Sequence, residues 1–204
     1  MDLIRLEHKL KQRLSIPYKW ERVQNDVFDK KTDCIYSIYG VNKLLNELQG
    51  SSDSVINYAL NRWFNFHSAQ GVEYIFSSHP KVMKHKNRYH QSIDFYIDGI
   101  EFDHKTTVLP KCYNNNIEKA LNDKRGLIEW LYANQSQQRR CHHKNRLFIL
   151  VFDSVNLEHW KMKAEIQLIK NTVESYLNEF KRENLTELNI NGEKILSDVL
   201  FIIK

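Results

Sequence analysis

The chain has 204 residues, 42% of them apolar and 12% aromatic. That is enough for one core domain with a small extension, and the charges are too well mixed for a disordered chain. Lys and Arg outnumber Asp and Glu by 30 to 25, a formal charge of +5, which suits a polyanionic partner without requiring one. Cys34, Cys112 and Cys141 are far apart with no Cys-x-x-Cys spacing, which argues against a zinc ribbon or a disulfide frame and predicts reduced thiols. No stretch offers the roughly 18 apolar residues of a membrane span. The first residues carry charges every few positions, so no signal peptide is expected, and the predicted setting is cytoplasmic.

Residues 2–14 carry Leu3, Leu6, Leu10 and Leu14 on one stripe, the period of an amphipathic helix, and Pro17 follows it. A short helical pattern over 41–48 is closed by Gly50. Residues 1–50 read as a helical extension packed on a core over 51–204. The cluster Ser51-Ser52-Asp53-Ser54 is an N-cap signal. It opens a long helical pattern over 55–78, interrupted at Gly71, which is either one bent helix or two. Past Pro80, residues 81–88 form a weak strand pattern, and 93–97 and 100–108 strong ones. A cap at Asn114-Asn115-Asn116 leads into a helix over 117–135. The apolar run 147–152 predicts a strand buried on both faces. A helical pattern over 157–180 and a last apolar strand over 199–203 complete the chain. Helix, three-strand meander, helix and strand make an α/β domain with a mixed β-sheet flanked by helices.

The dipeptide Asp98-Gly99 is a two-residue hairpin signal, because a type I′ turn needs positive φ at both positions. The register then follows by counting: Ile97 faces Ile100, Tyr96 faces Glu101, Phe95 faces Phe102, Asp94 faces Asp103 and Ser92 faces Lys105. Side chains alternate along a strand and opposed residues share a face. Ile93, Phe95, Ile97, Ile100 and Phe102 thus make an apolar face, while Asp94, Asp103, Lys105 and Glu101 fall on the other. Opposed carboxylates repel, and a divalent cation reverses the sign of that interaction. Mg²⁺ takes carboxylate and water oxygens. A lysine about 7 Å along the same face can hold a phosphate or an attacking water and stabilise developing charge. The bland alternative is an ordinary amphipathic hairpin whose Asp, Glu and Lys form a solvated face.

Asp94 followed by Asp103-His104-Lys105, in this order of elements, resembles the PD-(D/E)xK nuclease superfamily over roughly residues 54–152. The resemblance implies a restriction-endonuclease-like core. Asp94 and Asp103 would be metal ligands, the His104 backbone carbonyl a further ligand, and Lys105 the residue that positions or activates water. Glu73 is the candidate for the family's additional acid on the first core helix; it is otherwise an exposed glutamate near a helix end. Ile93 stands where the family's name-giving proline would be. The cofactor implied is Mg²⁺, with Mn²⁺ as a substitute. The reaction implied is hydrolysis of DNA phosphodiester bonds by an endonuclease of restriction or repair type. One site cuts one strand, so double-strand cleavage calls for a homodimer, whose surface the sequence does not display.

Two basic runs flank the acidic motif. One holds Lys81, Lys84, Lys86 and Arg88, the other Arg139, Arg140, Lys144 and Arg146. Both lack acids and suit contacts with a DNA backbone. Gln135 and Gln138 are of the type that reads base edges. The histidines show no zinc spacing, and Gly40, Gly50 and Gly71 are too isolated for a phosphate loop. The rivals to catalysis are a non-catalytic nucleic-acid-binding module on the same fold and a protein-interaction or structural domain.

Overall fold

The structure is a computed structural model, and it describes residues 1–19, 26–85, 93–134 and 144–204. By contact the chain divides into two compact units. One is Met1–Val72 with Lys163–Gln167, the other Glu73–Met162 with Leu168–Lys204. The division therefore falls inside a helix at Val72/Glu73, not at the Gly50 turn where the sequence pattern changes.

The first unit holds α1 (Leu3–Arg13), α2 (Asp26–Lys31), α3 (Val41–Glu47) and the first part of α4 (Asp53–Ser78). Asp2 caps α1 by accepting the Arg5 N–H at 2.9 Å, and Leu6 and Leu10 are buried, as the leucine stripe predicts. The pattern over 55–78 resolves as one uninterrupted helix. Gly71 does not break it. A Cβ there would lie 2.6 Å from the Leu6 side chain and 3.2 Å from that of Ile166. A glycine inside a helix costs about 1 kcal/mol relative to alanine, and close packing explains its presence. Trp63, Phe64, Leu44 and Ile35 are buried in this unit. The Trp63 indole donates to the Ile38 carbonyl at 2.6 Å.

The second unit is built on a six-stranded sheet: β1 (Val82–Lys84), β2 (Phe95–Ile97), β3 (Ile100–Val108), β4 (Arg146–Phe152), β5 (Thr186–Ile190) and β6 (Glu193–Ile203). The spatial order is β1-β2-β3-β4-β6-β5. The first three strands form an antiparallel meander. β3, β4 and β6 run parallel, and β5 is antiparallel at the far edge. This is an α/β fold with a mixed sheet flanked by helices.

The hairpin follows its turn. Asp98 has φ 48° and Gly99 φ 78°, and Ile97, Tyr96 and Phe95 pair with Ile100, Glu101 and Phe102. Every residue of β4 is buried, the burial expected of a central parallel strand. On one face Phe148, Leu150 and Phe152 join a cluster with Leu127, Ile128 and Leu131. On the other, Phe76 stacks on Phe95 with centroids 4.6 Å apart, and Phe102 meets Phe180 edge-on.

Three elements differ from the sequence expectation. The helix over 117–135 is two, α5 (Ile117–Asn122) and α6 (Lys124–Asn134). Asp123 leaves the helical conformation at φ −126°, ψ 66°, and its carboxylate accepts the Gly126 N–H at 2.8 Å, so it caps α6. The pattern over 157–180 begins as a 3₁₀ segment (His159–Ala164) before α7 (Ile166–Asn178). The Gln167 N–H in the first turn of α7 is taken by the Glu7 carboxylate at 2.7 Å. The final strand is longer than 199–203 and is preceded by β5, joined through Asn191 (φ 53°) and Gly192 (φ 84°). Asn-Gly is the same turn signal as Asp98-Gly99, and it marks a hairpin that the apolar run alone does not reveal. Among the described residues no helix is long and apolar enough to cross a membrane.

Candidate active site

β3 places Asp103, Lys105 and Thr107 on one face and His104 on the other, by the alternation of a strand. In the parallel ladder Asp103 lies beside Arg146 and Lys105 beside Phe148, so these four share the face that α6 covers. Asp94 enters from just before β2. Direct opposition of Asp94 and Asp103 is not what forms. The Asp94 N–H donates to the Phe102 carbonyl at 2.9 Å, and Phe102 is already the partner of Phe95. Two residues thus face one, as in a β-bulge, which ends the ladder and re-aims a side chain.

The re-aimed carboxylate of Asp94 is held by His104. Its Oδ2 accepts the His104 backbone N–H at 2.8 Å and lies 2.6 Å from Nδ1 of the imidazole. A strand residue presents its N–H and C=O to the same side, so the His104 carbonyl also faces the end of the ladder where Asp94 sits. The His104 imidazole lies against the rings of Phe95 and Phe76.

Asp94 and Asp103 are within hydrogen-bonding reach of each other. Their side chains are 27% and 24% exposed. Asp103 Oδ2 accepts from Arg146 Nε at 2.6 Å and also pairs with Arg146 Nη2. Burial pushes the Asp94 carboxyl up, but the hydrogen bonds and charge of His104 outweigh it and hold Asp94 below the usual carboxylate range. Burial drives Asp103 the other way. Its carboxyl sits above the usual value, with the charge of Asp94 adding and the Arg146 guanidinium opposing. His104 would be lowered by its burial. The hydrogen bond and charge of Asp94, then the charges of Asp103 and Glu73, raise it instead. Lys105 is lowered by burial first and by Arg146 second, with Asp103 opposing.

Glu73 is exposed near the end of α4. Its charge reaches His104, but it does not join the aspartates. Among the described residues no group of three or more His, Cys, Asp or Glu side chains is arranged to hold a metal ion. The donor chemistry of the pair itself fits a hard divalent cation, which takes carboxylate oxygens, and the charge of Asp94 beside Asp103 is one that a cation would offset. The Arg146 guanidinium and the His104 imidazole already occupy these carboxylates and would compete with such an ion.

The second basic run needs correction at its end. Arg146 is not in an exposed linker. It is the first residue of β4, its side chain 8% exposed and committed to Asp103. Parallel register buries it, and register is a long-range property. Lys144 is half-buried, and its carbonyl accepts from the Tyr132 hydroxyl at 2.6 Å. Burial pushes that phenol up to about 12, so it stays protonated. Lys84 is exposed on β1, 5.9 Å from the Tyr74 ring. Lys86, Arg88, Arg139 and Arg140, with Ser92, Gln135, Gln138 and Cys141, lie outside the described residues. A cleft of about 320 Å³ opens beside Lys105, with Thr107, Trp130, Leu131, Asn134 and Phe148 among its walls.

Two parts of the site have no sequence signal that assigns them: the imidazole of His104 as the clasp of Asp94, and Asn145. The Asn145 side-chain amide donates to the Glu101 carbonyl at 3.1 Å and accepts the Leu196 N–H at 2.8 Å. It fixes the ends of three strands beside Asp103. No protein-family model, no curated protein and no solved structure matches the chain.

Proposed function

We propose that the chain hydrolyses phosphodiester bonds in DNA with a divalent metal ion, Mg²⁺ or Mn²⁺ in its place, on a core of the restriction-endonuclease-like kind. The observation that carries this reading is the acidic pair. Asp94, just before β2, and Asp103, on β3, come within hydrogen-bonding reach, with Lys105 on the same face of β3 as Asp103. The order of meander, crossover helices and parallel strand supports the same resemblance.

Asp94, Asp103 and the His104 carbonyl would hold the ion. When bound, it supplies a Lewis acid at the phosphoryl oxygen and acidifies a coordinated water. Asp94 stays ionised because His104 favours its charged form. Lys105 carries the proton work at Nζ. Burial and Arg146 bring its ammonium below the usual lysine value, nearer the range in which an amine exchanges a proton with water during attack on phosphorus. Of the residues named for the site, Lys105 lines the neighbouring cleft. An endonuclease acting on both strands would use two copies of the chain.

A second reading is favoured by one observation. Both aspartates already have side-chain partners, the His104 imidazole and the Arg146 guanidinium, as they would in a nucleic-acid-binding module that does no chemistry. Incubation of supercoiled plasmid with the protein and Mg²⁺ separates the two. The catalytic reading expects nicking or linearisation that EDTA stops and Asp103→Asn abolishes, with Lys105→Ala slowing it by roughly 10²–10⁴-fold. Retention of plasmid without any cutting would establish the second reading and sink the first.

A further inference from the structure

Arg146 stands beside Asp103 because the parallel register of β3 and β4 pairs these residues. Nε and Nη2 both fall on the single oxygen Oδ2. The guanidinium therefore does not fork across the two oxygens, which is the stronger arrangement. The pair is nonetheless partly shielded, with Arg146 8% and Asp103 24% exposed. In such a place, removing one charge strands the other unless a new cation arrives.

Arg146 has a second contact in this same position. Its Cζ lies 5.9 Å from the centroid of the Phe148 ring, a face on which a guanidinium can stack, and Phe148 lines the neighbouring cleft. Lys105 shares this face and repels it. With Asp103 neutralised by another cation, the charge of Arg146 would be left uncompensated beside Lys105 and Phe148, which line the cleft, and a guanidinium is the group best shaped for a phosphate.

We infer that Arg146 is the resident counter-cation of the acidic pair: it holds Asp103 until a divalent ion takes its place, and then turns its guanidinium to a substrate phosphate. This rests on the metal-dependent reading given above. Arg146 thereby couples metal binding to DNA binding, so DNA is held productively only once the ion is in place.

The test measures Mn²⁺ affinity by electron paramagnetic resonance for the wild type, Arg146→Gln, Arg146→Lys and Asp103→Asn, and affinity for a short duplex with and without Ca²⁺. Arg146→Gln should bind Mn²⁺ at least about fivefold more tightly than the wild type, a coupling of ordinary size. In Ca²⁺ it should bind the duplex more weakly than the wild type, and without divalent ion the two should bind alike. Asp103→Asn should lose Mn²⁺. If Arg146→Gln does not fold, Arg146→Lys serves, through a larger rise in melting temperature on adding Mn²⁺ than the wild type shows. Equal Mn²⁺ affinity in the wild type and the Arg146 variants, with loss in Asp103→Asn, would overturn the inference and leave the metal site standing. Absence of Mn²⁺ binding in the wild type and both Arg146 variants would overturn both.

Discussion

His67 shows how a single residue sets a pH limit on the first unit. It is 4% exposed, ringed by Tyr39, Trp63 and Phe66. Its Nε2 lies 3.2 and 3.1 Å from the carbonyls of Ile35 and Ile38. Carbonyls only accept, so Nε2 carries the proton and donates. Burial lowers the imidazole below its usual value near 6.5, with the two carbonyl bonds opposing. The folded pKa is thus the lower one, and the unfolded chain takes up its proton first as the pH falls. The stability from neutral His67 is complete above about 6.5 and is lost progressively below it. Urea titrations at pH 8 and pH 5 should show the wild type weakening between them. His67→Phe should be less stable at pH 8 by about 1–3 kcal/mol, for the carbonyls left unpaired, but should show a smaller fall toward pH 5. An identical fall in both proteins would contradict this account.

The hairpin of β2 and β3 is the element on which the site depends, and it was largely legible in sequence. Asp98-Gly99 fixes a turn, and the turn fixes three residue pairs. What counting could not supply is the next position. Asp94 departs from the ladder because its carboxylate captures the His104 N–H, a contact of side chain with backbone that no alternation rule contains. A Cβ at Gly99 would meet nothing, so Gly99→Ala tests conformation alone. At φ 78° it should cost about 1–2 kcal/mol, read from chemical denaturation; an unchanged midpoint would mean that the turn does not set the register. Asp123 illustrates the same limit on a helix. The apolar pattern runs through it from α5 to α6, and only its bond to the Gly126 N–H creates the break. Asp123→Ala should cost roughly 0.5–2 kcal/mol by the same measurement, and no loss would deny it the role of cap.

At the scale of the whole molecule, the α/β sheet of the second unit gathers residues that lie far apart in the chain. Asp94, Asp103, Lys105 and Arg146 meet because the meander delivers the first three and the crossover through α5 and α6 returns the fourth beside them. The resemblance to a nuclease motif was readable from Asp94 and Asp103-His104-Lys105. The place of Arg146 was not, since in sequence it belongs to a basic run and only parallel register buries it. Glu73 depended on where α4 ends, and that end leaves it on the His104 side, outside the carboxylate pair. The nuclease proposal stands or falls on whether the two aspartates bind a divalent ion. Anomalous diffraction from crystals soaked in Mn²⁺ tests it most directly. A peak is expected between Asp94 and Asp103, with Arg146 moved off Asp103. A well-ordered site with no peak, and Arg146 still bound to Asp103 at saturating Mn²⁺, would contradict it.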